Sequence, residues 1–165
     1  MIELFKALAG PVATILAATA AAFFAWNQKK LAEEKLRLDL FDRRYEAFET
    51  IFPFYNALVG WTSSEKDKEA QTKFLLAYHQ SGFLFGPEIE AIFKELREAG
   101  AKVIGFKENK EAYRGDPETM QRLFNETQFI LVTLFEQKLF ELKSKVGRYI
   151  DFSRTQVSPS LNQIR

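Results

Sequence analysis

Residues 7–26, ALAGPVATILAATAAAFFAW, carry no charge, and residues 27–52, NQKKLAEEKLRLDLFDRRYEAFETIF, continue in a charged, amphipathic pattern. From residue 12 to residue 52 there is neither Gly nor Pro. A helix of that length rises about 60 Å at about 1.5 Å per residue. The simplest reading is one rod that begins in lipid and continues into water. The expected fold is all-α: an N-terminal transmembrane helix over about 7–26, continuous with a long amphipathic helix that belongs to a cytoplasmic bundle of about four helices. The expected organisation is a membrane anchor at 1–28, a helical bundle at 29–152 and a flexible tail at 153–165.

Twenty uncharged residues match about 30 Å of hydrocarbon. Nine of the twenty are Ala, so the span is only weakly apolar. Favourable transfer rests on Leu8, Val12, Ile15, Leu16, Phe23 and Phe24, each contributing about 0.3–0.6 kcal/mol, and one buried charge at about 2.5–3.5 kcal/mol would cancel the total. Gly10 and Pro11 favour a separate short interfacial turn over residues 2–9, and Phe23, Phe24 and Trp26 form an aromatic edge at the other interface. Lys29, Lys30, Lys35, Arg37, Arg43 and Arg44 follow the span, whereas Lys6 and Glu3 precede it. The positive-inside rule then places the bundle in the cytoplasm and the N-terminus outside, single-pass in a bacterial inner membrane. A cleaved signal peptide has similar parts in Lys6, the apolar stretch and Ala20 to Ala22. Against it stand Lys29 and Lys30, the Ala-rich rather than Leu-rich run and the helical pattern that continues beyond any cleavage point. A buried helix of a soluble protein is a third reading.

Small residues recur at every fourth position, with Ala13, Ala17, Ala21 and Ala25 on one stripe and Gly10, Thr14, Ala18 and Ala22 beside it. Such surfaces let helices approach closely in lipid, which gives a homo-oligomer as one expectation. An Ala-rich span also produces these spacings with no partner. Lys29, Lys30, Lys35 and Arg37 would contact lipid head groups at about 1 kcal/mol each; the plainer account is that they only set topology.

Beyond the span, Leu31, Leu38, Tyr45, Phe52 and Val59 repeat every seven residues, with Phe41, Phe48 and Tyr55 as the second row and Glu34 interrupting it. The rows read either as a seam to another copy or as the face of a helix packed in its own bundle, the preferred reading. Glu33 with Arg37 and Asp39 with Arg43 are expected as surface pairs four residues apart. Pro53 and the stretch from Gly60 to Ser64 end the rod, and Ser63 or Ser64 caps a helix over about 65–80. Residues 81–87 are expected to turn around Phe83, Leu84 and Phe85, with a helix from 87 to 113 after them. Gly115, Asp116, Pro117 and Glu118 stop one helix and start the last, which runs to about Gly147. No segment alternates with a period of two.

Composition narrows the chemistry. A net charge of +1 from 23 basic and 22 acidic residues gives no basic stripe for nucleic acid. The absence of Cys removes disulfides, thiolate nucleophiles and Cys-ligated metals. His79 is the only histidine, so the two histidines of a di-iron bundle are missing. Glu46 with Glu49 and Glu95 with Glu98 are read as solvated helix faces. No phosphate loop, paired metal motif or nucleophile elbow is present. Neither catalytic, cofactor-binding nor metal residues are expected.

The run KLRLDLFDRRYE from Lys35 to Glu46, after a span ending in AW, together with FLFGPE from Phe83 to Glu88 and YIDFS from Tyr149 to Ser153, resembles a group of uncharacterised bacterial single-pass membrane proteins. Those pair an N-terminal transmembrane helix with a small cytoplasmic helical domain. The resemblance implies architecture and supplies no catalytic residues. The resulting expectation is a non-catalytic, membrane-anchored interaction or scaffold module that recruits or regulates a cytoplasmic protein partner. The alternative is an oligomerising membrane effector, of phage-defence or toxin type, that perturbs the bilayer; an enzyme with an unrecognised site is the third and least supported reading.

Overall fold

The computed structural model describes the backbone of residues 2–150 and the side chains of residues 14–149. The anchor positions Gly10 and Ala13 therefore lie outside the described side chains, and the tail at 153–165 lies outside the described residues altogether. All regular elements among the described residues are helical: α1 (Ile2–Glu49), α2 (Ile51–Val59), α3 (Glu65–Phe85), α4 (Pro87–Glu108), a 3-10 turn (Lys110–Tyr113), α5 (Pro117–Phe129), a π turn (Ile130–Leu134) and α6 (Phe135–Ile150). Two units divide between Leu40 and Phe41.

In the first unit, α1 runs through Gly10 and Pro11 without the separate turn expected at residues 2–9. Side chains 14–39 are all exposed. Among the described residues no helix is long and apolar enough to cross a membrane, which departs from the expected transmembrane helix over 7–26. The physical reason is composition: the segment is rich in Ala, whose burial contributes little. Lys29 pairs with Glu33 at 3.8 Å, the partner that had been expected for Arg37.

The second unit is a helical bundle around aromatic rings. Phe54 of α2 stacks on Phe74 of α3 at 4.2 Å between centroids, and Phe74 stacks on Phe93 of α4 at 5.7 Å. Phe135 of α6 tilts against Phe54 at 6.3 Å. All four rings are buried, with Ile51, Leu58, Ile89, Leu96, Leu142 and Val146 around them. Offset stacking adds to the area term because ring quadrupoles favour it.

Local chemistry sets the element ends. Pro53 has no N–H for the Glu49 carbonyl and its ring crowds that carbonyl, so α1 stops at Glu49 and α2 starts at Ile51. Ser64 caps α3 in a reciprocal box with Asp67. The Asp67 carboxylate also accepts from Thr62 N–H at 2.9 Å and Thr62 Oγ1 at 3.0 Å. The Thr62 backbone bond, followed by those from Ser64, holds its pKa at about 2. Because the folded value lies below the unfolded one, this stabilisation is complete above the unfolded pKa and is lost as pH falls toward about 2. Asp67→Asn should therefore flatten the acid limb of a stability-against-pH curve measured by denaturant titration; an unchanged limb would show that Asp67 is not ion-specific.

Helix α3 continues to Phe85 instead of stopping near residue 80, and within its last turns the buried Ser81 hydroxyl donates to the Tyr78 carbonyl at 2.7 Å. The break is confined to Gly86, whose φ of 89° suits glycine. Of the expected turn residues, Phe85 is buried and Phe83 is 95% exposed. Helix α4 ends at Glu108, and the 3-10 turn takes the residues expected to prolong it. At Gly100 a Cβ would lie 2.5 Å from Phe54 Cζ, whereas at Gly105 it would meet nothing within 4 Å. Gly100→Ala should thus lose stability by about 1–3 kcal/mol through overpacking, and Gly105→Ala should gain up to about 1 kcal/mol of helix propensity. Thermal melts of the two variants check the opposite signs.

The last helix, expected to be continuous, contains the π turn. At 3.6 residues per turn, an uninterrupted α-helix phased on the buried Thr127 would turn Lys138, Glu141 and Lys145 toward the core. One extra residue in the turn brings Phe135, Leu139, Leu142 and Val146 there instead, and these pack in the core. The displaced charges form an outer ladder: Lys138 to Glu95 at 2.7 Å, Lys138 to Glu141 at 3.0 Å and Lys145 to Glu141 at 3.1 Å. Glu95 first and Glu141 second raise the Lys138 pKa. Tyr55 donates its hydroxyl to the Leu131 carbonyl at 3.2 Å, satisfying a backbone acceptor inside the π turn.

Candidate functional site

The expected site residues fall in two environments, taken unit by unit. In residues 2–40, Thr14, Ala17, Ala18, Ala21, Ala22 and Ala25 are exposed, as are Ile15, Leu16, Phe23, Phe24 and Trp26. At 3.6 residues per turn, the five large side chains occupy one half of the helix and the five alanines just named occupy the other. No charge interrupts either half. Lys30, Lys35 and Arg37 are exposed, as is Lys29 beside Glu33, and Leu31 and Leu38 are 68% and 54% exposed.

In residues 41–150 the heptad row is turned away from the core. The face that packs inward is Ala47, Ile51, Phe54 and Leu58. Tyr45, Phe52 and Val59 stay exposed at 45%, 46% and 51%, while Phe41 and Phe48 are half-buried. Phe41 stacks with Tyr45 at 6.1 Å, and Phe48 meets Phe52 edge-on at 5.6 Å. The side chain of Glu49 accepts the Tyr45 hydroxyl and raises its pKa. A helix whose period places one apolar row in its own core and a second row in solvent has two faces to satisfy, and the bundle satisfies one. Of the rows read from spacing, Phe48 and Tyr55 pack against the core from its edge, whereas Tyr45, Phe52 and Val59 do not pack inward.

Beside the exposed row, an open groove of about 510 Å³ separates the end of α1 and the start of α2 from α3. Ala47, Pro53 and Leu76 form its apolar part, and Arg43, Glu46 and Lys73 bring both signs of charge to it.

Arg44, counted from sequence among the topology charges, is turned inward. Its Nε donates to the Leu84 carbonyl at 2.7 Å and its Nη1 to the Tyr149 carbonyl at 3.5 Å, with the guanidinium 5.0 Å from the Tyr149 ring. The carbonyl-rich ends of α3 and α6 therefore share one cation. Burial lowers its pKa without threatening its charge. Lys107 serves α2 in the same way, with Nζ donating to the carbonyls of Leu58 at 2.7 Å and Val59 at 2.6 Å. The sequence offered no signal for either role, since the acceptors are backbone groups brought near by folding.

His79 is exposed with its ring 5.1 Å from that of Tyr78, and among the described residues no group of three His, Cys, Asp or Glu is placed to hold a metal ion. No family model matches the chain, and neither a curated protein nor a solved structure matches it.

Proposed function

We propose that the protein is a membrane-tethered, non-catalytic interaction module: residues 7–26 anchor it in the bacterial inner membrane, and the helical bundle recruits or regulates a cytoplasmic protein. One observation carries this reading. Residues 14–26 form an uncharged, exposed helix whose only polar side chains are Thr14 and Thr19, and a helix apolar round most of its circumference is ordinarily covered by lipid or protein. Counted with residues 7–13, the uncharged stretch reaches the length that spans hydrocarbon. The resemblance to single-pass bacterial proteins supports the same topology, and the exposed row and mixed-charge groove of the bundle support a protein partner.

Alkaline carbonate extraction of cell membranes, followed by immunoblotting of the full chain, tests the tether. The intact polypeptide is expected in the membrane pellet. Recovery in the high-speed supernatant, or a mature form beginning near Phe23, overturns the proposal. A second reading is favoured by the division of α1 into a bulky half and an alanine half, which would let anchors pack closely and perturb the bilayer. Overexpression would then depolarise cells, and Ala17→Leu with Ala21→Leu would abolish the effect. Toxicity that persists without residues 1–28 removes this second reading.

A further inference from the structure

Between α4 and α5 lies a cleft of about 350 Å³, separate from the exposed row and its groove. Its apolar wall is Phe106, Leu123 and Ile130. Phe106 is 7% exposed and stands apart from the main core cluster, to which Ile130 belongs, so the cleft opens at the margin of the core. Gly105 opens it further, because a Cβ there would meet no atom within 4 Å.

The polar groups of the cleft are arranged toward a ligand. Thr127 is 4% exposed and lines the cleft. Two helical threonines, Thr72 and Thr19, return their hydroxyls to the carbonyls of Lys68 and Ile15, each at 2.8 Å. The Thr127 hydroxyl makes no hydrogen bond among the described residues, and no side-chain oxygen there is both sealed and unpartnered. Its oxygen consequently reaches the cleft. Tyr113, half-buried on the 3-10 turn, lines the same volume. Lys102 and Glu126 line the cleft as well, but their 2.8 Å ion pair neutralises both. The wall includes Ile130, the first residue of the π turn, and single π turns recur at binding sites.

We infer that this cleft is a binding site for a small, uncharged, mostly apolar molecule that presents one hydroxyl or carbonyl oxygen to Thr127 and Tyr113. Charged ligands are disfavoured because the only charges present are already paired. A concave apolar volume with a few convergent polar groups is the usual form of a small-molecule site. The assignment stands independently of the membrane tether.

Phenol, an aromatic ring with one hydroxyl, serves as probe. Titrated into the full chain and followed through the methyl resonances of Leu123 and Ile130, it is expected to give saturable shifts. Thr127→Val keeps the shape, removes the hydroxyl and should weaken binding about fivefold, the worth of one net hydrogen bond. Gly105→Leu fills the cleft from a position with free space and a better helix former, so it should fold and bind no phenol. Shifts that rise without saturation, or binding unchanged in either variant, overturn the assignment.

Discussion

Inserting one alanine after Thr133 is expected to abolish cooperative folding, whereas deleting Val132 from the same turn is expected to leave a folded bundle. The π turn is one residue longer than an α turn, and that residue brings Phe135, Leu142 and Val146 into phase with Thr127. Deleting Val132, which is 62% exposed, turns the segment into plain α-helix while those three side chains keep their phase. The cost is then the Tyr55 hydrogen bond to Leu131, about 1 kcal/mol. An insertion advances α6 by about a further 100° and withdraws all three side chains from the core. At about 1.5–3 kcal/mol for each, the loss is comparable with the whole stability of a domain. Denaturant titration followed by near-ultraviolet circular dichroism separates the two: the deletion variant keeps a sigmoidal transition and the insertion variant does not. Equal stabilities would show that the turn does not set the phase of α6.

Phe74→Ala is the second large effect, with an expected loss of about 3–5 kcal/mol. Phe74 is fully buried between Phe54 and Phe93, whose rings sit 4.2 Å and 5.7 Å from its own. Its removal leaves a cavity that two rings on different helices cannot close together. Phe83→Ala, on the same helix at 95% exposure, should stay within about 0.5 kcal/mol. The midpoint shift between these two variants in a denaturant series measures the difference. Similar midpoints would place the energetic centre of the bundle away from the ring stack.

The same pair shows why sequence alone misjudged the stretch from Ser81 to Gly86. Phe83, Leu84 and Phe85 are all apolar, but a helix that continues to Phe85 buries Phe85, packs Leu84 against the edge of the core and leaves Phe83 exposed. The heptad row behaves alike: spacing identified Tyr45 and Phe52 as apolar positions at one period, while only the packed bundle reveals that the inward face is the neighbouring row of Ala47, Ile51, Phe54 and Leu58. Arg44 and Lys107 were invisible as capping residues because their acceptors are main-chain carbonyls distant in sequence. The cleft beside Thr127 was equally hidden, since its walls come from α4, the 3-10 turn and α5.

What the sequence by itself determined is the all-helical architecture and where α3, α4 and α5 begin. Pro53, Ser64, the Gly86–Pro87 pair and Asp116–Pro117 act on their own backbone through φ, a missing N–H or a local hydrogen bond, and such effects need no neighbour. What only the tertiary structure decided is phase: which apolar row goes inward, why a π turn interrupts the last helix, and which hydroxyl is left facing a cleft. Phase depends on the sum of contacts from several helices at once, and a single strand of residues carries each helix's period without the direction in which its neighbours lie.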